Sequence, residues 1–454
     1  MKTVITYGVF DLFHQGHENL LRRAKALGDR LIVGVTTDQF AYERGKYNVV
    51  EPLEVRLRHV QECHFADQVI IEDHYGQKAE DIAAYGADVF AIGDDWLGKF
   101  DHLQDLCEVV YLPRTPGISS TELRGGELET LRIGLIGCGR IARRFLREAA
   151  FVRDVQISCF YHPRPDRSGS VASFRAEHPE IPLVRTPEKL FDQADAVYIA
   201  SPHETHYEYA KEALQAGCHV LCEKPMALER ARAEELFALA AEKQLVLMEA
   251  LKTAYCPGFL RLISLCRSGM IGEILAVDGA FTRLTPGGCR EWEDKAFGGS
   301  FLELGSYLLL PVVKLLGTRG LEIGFSSVWE DGVDALTRLQ VRAGERSASL
   351  LAGIGGKSLG DLVISGTKGY FRVEAPWWKT SYFEIGYEDP SKLTRFACSF
   401  EGDGMRYEIA DLLHRVRGHQ GRDYKLTPEE SIAMAGAMEA FLAYKKHREM
   451  QAER

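Results

Sequence analysis

Two imidazoles stand three residues apart, at His14 and His17, within Tyr7-Gly-Val-Phe-Asp-Leu-Phe-His-Gln-Gly-His17. With a helix N-terminus and its open N–H groups beside them, they suit a polyphosphate. Attack on a nucleotide α-phosphate with loss of pyrophosphate needs positioning and charge stabilisation more than covalent help, so this pair points to nucleotidyl transfer. The blander alternative is that the two histidines cap a helix. A second group lies further on. Gly137, Gly139 and Ala142 space a Gly-x-Gly-x-x-Ala turn, Lys224 stands in Cys222-Glu-Lys-Pro225, and Tyr307 closes Gly298-Gly-Ser-Phe-Leu-Glu-Leu-Gly-Ser-Tyr307. A lysine or tyrosine beside a dinucleotide can give or take the proton that accompanies a hydride.

Particular elements must hold these side chains. Val4–Tyr7 reads as a buried strand, and Leu20, Leu21, Ala24 and Leu27 mark one face of a following helix, with Gly28 as its stop. The histidines then sit in a strand-to-helix turn, where Gly8 lets backbone approach a ligand. Apolar runs recur at 31–35, 69–71, 89–92 and 109–112, separated by helical stretches, which predicts a parallel doubly wound α/β sheet. Ligands of such sheets bind at the carboxyl ends of the strands, where Gly8, Thr36, Gly93 and Arg114 fall. Arg124-Gly-Gly-Glu-Leu-Glu-Thr130 then leads into a new strand, so a domain boundary is expected here. A linker this short limits how far two sites can separate without requiring them to touch.

In the second alternation Gly137 permits the tight turn, Gly139 admits a pyrophosphate, and Ala142 packs helix on strand. Strand-like runs at 155–160, 196–200, 219–221 and 245–248 follow, as a Rossmann dinucleotide-binding domain requires. Its second strand ends in Cys159-Phe-Tyr-His-Pro-Arg-Pro-Asp-Arg167, with no carboxylate near Tyr161 or His162. Arg164 and Arg167 could bind a 2′-phosphate, so NADP is expected ahead of NAD; under a shifted alignment Asp166 would be the ribose partner. After Ala250 the pattern changes to a helix bearing Phe259, Leu260, Leu262, Ile263 and Cys266, then β-rich runs at 274–281, 322–328, 335–341 and 347–352. These predict an α+β substrate domain with an open, mostly antiparallel sheet, closed by a long helix over 428–447. The expected division is 1–124, a linker 125–130, a Rossmann domain 131–249 and a substrate domain 250–454, its last helix packing back on the Rossmann domain.

At 454 residues the chain is too long for one ordinary core. A net charge of −10 argues against non-specific nucleic-acid binding. No apolar run approaches the ~20 residues that span a bilayer, and the N-terminus runs straight into a strand without a signal-peptide pattern. The ten cysteines lack Cys-x-x-Cys pairs and read as reduced thiols of a cytoplasmic protein; Cys218 and Cys222 read as core.

Gly8-Val-Phe-Asp-Leu-Phe-His-Gln-Gly-His17 resembles the signature of the glycerol-3-phosphate cytidylyltransferases. Val9 replaces the Thr of their usual Gly-Thr-Phe-Asp, so one hydroxyl is missing. The resemblance covers roughly residues 1–124 and includes Gly93-Asp-Asp-Trp-Leu-Gly-Lys-Phe-Asp101 and Arg114-Thr-Pro-Gly-Ile-Ser-Ser-Thr121, in the same order. It implies a CTP site of Val9, Phe10, His14, His17, Lys46, Asp94, Arg114, Thr115, Ile118, Ser119 and Thr121. His14, His17, Lys46 and Arg114 would act in catalysis, Arg114 opposing charge on the leaving pyrophosphate. Arg44 and Lys78 would meet the acceptor phosphate. On their own, Arg44 and Lys46 would be a solvated charge pair and Lys78 a surface helix lysine. Mg2+ would come with the CTP phosphates; whether Asp11 helps to bind it is open, and no other metal ligand is assigned.

The Gly-rich turn, Ser201-Pro-His-Glu-Thr-His206 and Glu223-Lys-Pro225 are together similar to the Gfo/Idh/MocA oxidoreductases, over about residues 131–450 and more weakly after about 330. The resemblance implies a cofactor site of Gly137, Gly139, Arg140, Ile141, Arg164, Ser201, His206, Glu223 and Lys224. Many members carry Asp-x-Gly-x-His where this chain has Glu303 and Tyr307; the Tyr version resembles the dihydrodiol dehydrogenase branch. Whether Lys224 or Tyr307 is the proton donor stays open, and Tyr307 alone would read as a core tyrosine. Members of both families commonly assemble, so a homo-oligomer is expected.

The expected function is a bifunctional enzyme making a CDP-polyol. One domain would reduce a keto precursor with NAD(P)H, and the other would transfer cytidylyl from CTP to a polyol phosphate, glycerol phosphate by default, for teichoic-acid-like or capsular polymers. Two rivals stand beside it. The oxidoreductase could act on the CDP-linked product, or it could be a non-catalytic nucleotide-binding module.

Overall fold

The computed structural model describes residues 2–43, 49, 51–113, 130–166, 169–417 and 425–452. Two compact units result, Met1–Glu129 and Thr130–Arg454.

In the first unit, β1 (Thr3–Gly8), β2 (Arg30–Thr36), β3 (Gln68–Glu72), β4 (Val89–Gly93) and β5 (Glu108–Leu112) pair in parallel in the order β3-β2-β1-β4-β5. Near-continuous Val and Ile suits strands covered on both faces. Val4, Val33, Val35, Val89 and Ala91 bury one face with α1 (Gln15–Lys25) and α2 (Leu53–Glu62). Ile5, Tyr7, Ile32, Phe90 and Ile92 bury the other with Ile82 of α3 (Gln77–Tyr85). Strand order reverses between β1 and β4, which opens a crevice at their carboxyl ends. Gly8, Thr36 and Gly93 each end a strand there.

One sequence expectation changes. Gly28 does not stop α1, whose cap is Ala26 in ordinary right-handed geometry. Gly28 is needed for packing instead: a Cβ there would lie 2.5 Å from the Lys2 carbonyl oxygen. At Gly8 the missing Cβ also makes room for the Phe10 ring, to which a Cβ would come within 2.9 Å.

The second unit opens with a parallel sheet of β6 (Leu131–Ile136), β7 (Val155–Tyr161), β8 (Leu183–Val184), β9 (Ala196–Ile199), β10 (His219–Glu223) and β11 (Leu247–Ala250), in the order β11-β10-β9-β6-β7-β8. Cys218 and Cys222 lie in its core. Helix α4 (Arg140–Ala149) starts directly after the Gly-rich turn, with Ala142 fully buried. A mixed sheet follows: β12 (Ile274–Thr282), β13 (Leu321–Glu330), β14 (Val333–Ala343), β15 (Arg346–Gly353), β16 (Leu362–Gly366), β17 (Tyr370–Val373), β18 (Tyr382–Gly386) and β19 (Thr394–Ala397). Its order is β13-β14-β15-β12-β16-β17-β18-β19. All its pairs are antiparallel except β12–β15, which is parallel because α5 (Ser300–Leu315) and a hairpin intervene. The strands after β15 add to those the sequence suggested.

Asp334 of β14 fixes the start of α5, accepting from the Ser300 hydroxyl at 2.6 Å and the Phe301 N–H at 2.9 Å. Helix α6 (Met405–Val416) is clasped to α4 through Arg406 and Glu148, 2.9 Å apart. The final helix α7 (Pro428–Ala452) packs against both α5 and the helix Arg230–Glu242 of the first sheet's layer. Among the described residues no helix is long and apolar enough to cross a membrane.

Candidate functional sites

In the first unit, the turn between β1 and α1 carries the histidines. Phe10 and Leu12 adopt left-handed backbone angles, φ 54° and 47°, which non-glycine residues rarely hold without support from their surroundings. His14 is the N-cap of α1, and its Nδ1 accepts the Gly16 N–H at 3.0 Å. The capping alternative therefore holds for His14. It also selects chemistry: with Nδ1 accepting, a neutral ring carries its proton on Nε2 and presents a donor. The His14 and His17 rings stack with centroids 3.8 Å apart, 18° from parallel. Phe10 and Phe13 pack on His17 at 5.4 and 5.6 Å.

Val9 and Phe10 are buried, and the Phe10 ring belongs to the core. Asp11 is buried and accepts the Glu51 N–H at 2.8 Å, bracing the turn. Asp94 is exposed at the end of β4. Lys78 pairs with buried Glu72 and lies 4.6 Å over the Tyr7 ring, so it is tied into the strand ends and not a solvated surface lysine. Arg44, Lys46, Arg114, Thr115, Ile118, Ser119 and Thr121 lie outside the described residues.

Sequence reasoning missed Arg56. It is fully buried and donates to the carbonyls of Val9, Thr36 and Glu51 and to the Asp38 carboxylate. One guanidinium thus ties the histidine turn to the end of β2. The signal was present, since Arg56 falls on the apolar stripe formed by Leu53, Leu57 and Val60 of α2.

The second unit holds a cavity of about 1040 Å³, lined by Gly139, Arg140, Ile141, Ser201, Glu223 and Lys224 on one side and by Tyr307, Trp378 and Glu408 on another. Gly137 has φ +98°, and a Cβ on it would strike the Ala200 carbonyl oxygen at 2.6 Å. At Gly139 a Cβ would meet nothing within 4 Å, and α4 begins there. An open space at a helix N-terminus with arginines beside it fits a dinucleotide pyrophosphate. Arg140 pairs with Glu291 at 2.7 Å, and Arg164 is exposed just beyond β7. Asp166 is paired with Arg185 at 2.7 Å, and Arg167 lies outside the described residues.

Lys224 Nζ donates to the Glu303 carbonyl at 2.9 Å and lies 3.5 Å from its carboxylate. It also sits 5.9 Å over the Tyr307 ring. Phe281 packs edge-on to Tyr307 and stacks on Trp378 with centroids 3.5 Å apart. Burial, reinforced by Glu223 and Glu408, pushes the Tyr307 phenol well above its ordinary range, so the hydroxyl keeps its proton.

His206, expected at the cofactor, lines the cavity and is fully buried, with Nδ1 2.8 Å from the Pro225 carbonyl and Nε2 2.8 Å from that of Ser201. It braces the segment presenting Lys224. Burial outweighs those two carbonyls and pushes its pKa down to about 4. The Ser201 hydroxyl accepts from Thr205, and Glu223 accepts the Tyr198 hydroxyl at 2.6 Å.

Residues 131–251 match the Gfo/Idh/MocA model, described as an oxidoreductase family with an NAD-binding Rossmann fold, and residues 5–126 match the cytidylyltransferase-like model. The chain is 51% identical over 124 residues to glycerol-3-phosphate cytidylyltransferase of Bacillus subtilis (strain 168), covering 27% of this chain and 95% of the relative. It is 28% identical over 325 residues to scyllo-inositol 2-dehydrogenase (NADP+) of the same organism, covering 68% of this chain and 95% of the relative. Among solved structures it resembles a 3-ketoreductase from Actinomadura kijaniata in complex with TDP-benzene and NADP. That match has a TM-score of 0.58 and 25% identity, over 68% of this chain and 96% of the other.

Proposed function

We propose, for a chain that belongs to the cytidylyltransferase-like family through its first unit and to the Gfo/Idh/MocA oxidoreductases through its second, that the two activities together make a CDP-polyol. The reading rests on one observation: each unit carries its own reactive group, the stacked His14–His17 pair and the Lys224–Glu303–Tyr307 cluster.

In the first unit His14 and His17 stabilise charge at the CTP α-phosphate, with the backbone of Val9 and Phe10 and the Asp94 side chain framing the nucleotide. Lys46, Arg114, Thr115, Ile118, Ser119 and Thr121 complete this site, while Arg44 and Lys78 hold the acceptor phosphate. Mg2+ enters on the CTP phosphates. In the second unit Gly137, Gly139, Arg140 and Ile141 hold the NADP pyrophosphate. Arg164 meets the 2′-phosphate, and Ser201, Glu223 and Lys224 flank the nicotinamide end. NADPH supplies the hydride when bound. Lys224, held by Glu303, orients the substrate carbonyl, and Tyr307 donates the proton to its oxygen.

We divide the chain at 124, 130 and 249 and place the protein in the cytoplasm as a homo-oligomer. Glycerol phosphate is the default acceptor, since the first unit is so similar to that cytidylyltransferase. A second order of steps, reduction of the CDP-linked compound, is favoured by the related 3-ketoreductase, which holds a nucleoside diphosphate ligand.

The test is NADPH absorbance with dihydroxyacetone, dihydroxyacetone phosphate and a set of ketose phosphates, each with and without CTP, and mass spectrometry of the nucleotide product. Oxidation without CTP, then a CDP-polyol mass on its addition, supports reduction first. Oxidation only with CTP supports the second order. With the reductase substrate supplied directly, as the keto compound or as its CDP-linked form, His17→Ala is expected to abolish CTP consumption and spare NADPH oxidation, and with glycerol phosphate supplied Lys224→Ala is expected to do the reverse. A variant that loses both activities, or neither, would contradict the assignment.

A further inference from the structure

The cavity lined by Lys224 and Tyr307 also holds ionisable groups that this reading leaves unused. Glu408 enters from α6, which the Glu148–Arg406 pair fastens to α4. It is 1% exposed, lines the cavity, and its Oε2 is buried with no hydrogen-bond partner. The charged groups around it are Glu223 from β10, Lys252 and Glu148. Glu223 is occupied by the Tyr198 hydroxyl, and Lys252 Nζ donates to the Asp403 carbonyl at 2.7 Å. The hydroxyls of Tyr198, Tyr255 and Tyr307 and the Cys256 thiol complete its titratable surroundings.

A buried carboxylate with no donor, near a second carboxylate, is unfavourable; a neutral carboxyl is much less so. We propose that Glu408 is a proton-holding carboxyl that restores the Tyr307 hydroxyl after each reduction. This rests on the reductase reading above. Once the carbonyl carbon has received hydride, the Tyr307 O–H breaks and the alcohol O–H forms. The Glu408 O–H then breaks and its proton crosses the cavity to the phenolate. Glu408, now a carboxylate beside Lys252, regains a proton from solvent as the alcohol leaves. Burial and repulsion from Glu223 favour its neutral form, and Lys252 opposes them. Glu408 is a positioning residue in this scheme, since it acts through Tyr307.

The test compares NADP-loaded full-length protein with its Glu408→Gln and Glu408→Asp variants by infrared spectroscopy with labelled glutamate, at about pH 8, far above the ordinary carboxyl range. The stretch of a protonated carboxyl is expected in the parent, lost in Glu408→Gln, and returned as an unlabelled band in Glu408→Asp. No such band in the parent, or the same labelled band in Glu408→Gln, overturns the proposal. With dihydroxyacetone as probe, Glu408→Gln is expected to lose kcat by at least about tenfold at that pH, with KM and NADPH affinity little changed. Unchanged kcat, or a loss confined to KM, also overturns it. If the parent does not turn over dihydroxyacetone, the reductase reading fails for that compound, while the infrared band still decides whether Glu408 holds a proton.

Discussion

Arg56 and His206 show what a single buried side chain can fix. Arg56 alone satisfies three backbone carbonyls and one carboxylate from separate segments. Leaving buried carbonyls without a donor costs about 1–3 kcal/mol. Arg56→Ala is therefore expected to lower first-unit stability by that amount in urea titration and to abolish cytidylyl transfer, leaving NADPH oxidation unchanged. His206 makes a pH prediction. Its folded pKa, about 4, lies below the ordinary 6.5, so the unfolded chain binds a proton that the folded one refuses. The stability it contributes is complete above about 6.5 and is lost as pH falls toward 4, at about 1.4 kcal/mol per pH unit. The stability difference between the parent and His206→Gln should therefore shrink by about 3 kcal/mol across that window. A difference independent of pH would refute the assignment of burial as the cause.

At the scale of elements, two glycines of one turn have opposite duties. Gly137 sits at positive φ against the Ala200 carbonyl, so Gly137→Ala is expected to destabilise the second unit by about 1–3 kcal/mol. Gly139 faces open space at the start of α4, so Gly139→Val is expected to keep the melting temperature and weaken NADPH binding by more than about tenfold, or 1.4 kcal/mol. Fluorescence titration of NADPH checks it; unchanged affinity would move the pyrophosphate elsewhere. Much of this turn was legible in the sequence, because glycine spacing after an apolar strand has few alternative explanations. Strands β16 to β19 were not legible. At four or five residues each, they carry too few side chains to set a period, and only pairing with neighbours decides their conformation.

At the scale of the whole molecule, residues 1–129 and 130–454 have separate cores. Each is expected to unfold with its own transition in calorimetry. CTP at about 100 times its Kd should stabilise the first by about 2.7 kcal/mol without moving the second, and NADP should do the reverse. A single transition that both ligands raise equally would contradict independent units.

Local chemistry written in the chain determined the two glycine-containing turns, the paired histidines, the Lys224 and Tyr307 blocks, and the strand–helix alternation that carries them. These features depend on neighbours a few residues apart, so the sequence displays them directly. Burial was decided only by the tertiary structure. Arg56 and Glu408 both fall on apolar helix stripes, yet by residue type each reads as a surface charge. His206 lines the cavity, yet two backbone carbonyls also lie against its ring, which the sequence does not show. Part of what encloses these groups comes from distant segments, such as Val9 and Thr36 for Arg56 and Pro225 for His206, and the cost of burying a charge or a proton exists only once packing has removed the water.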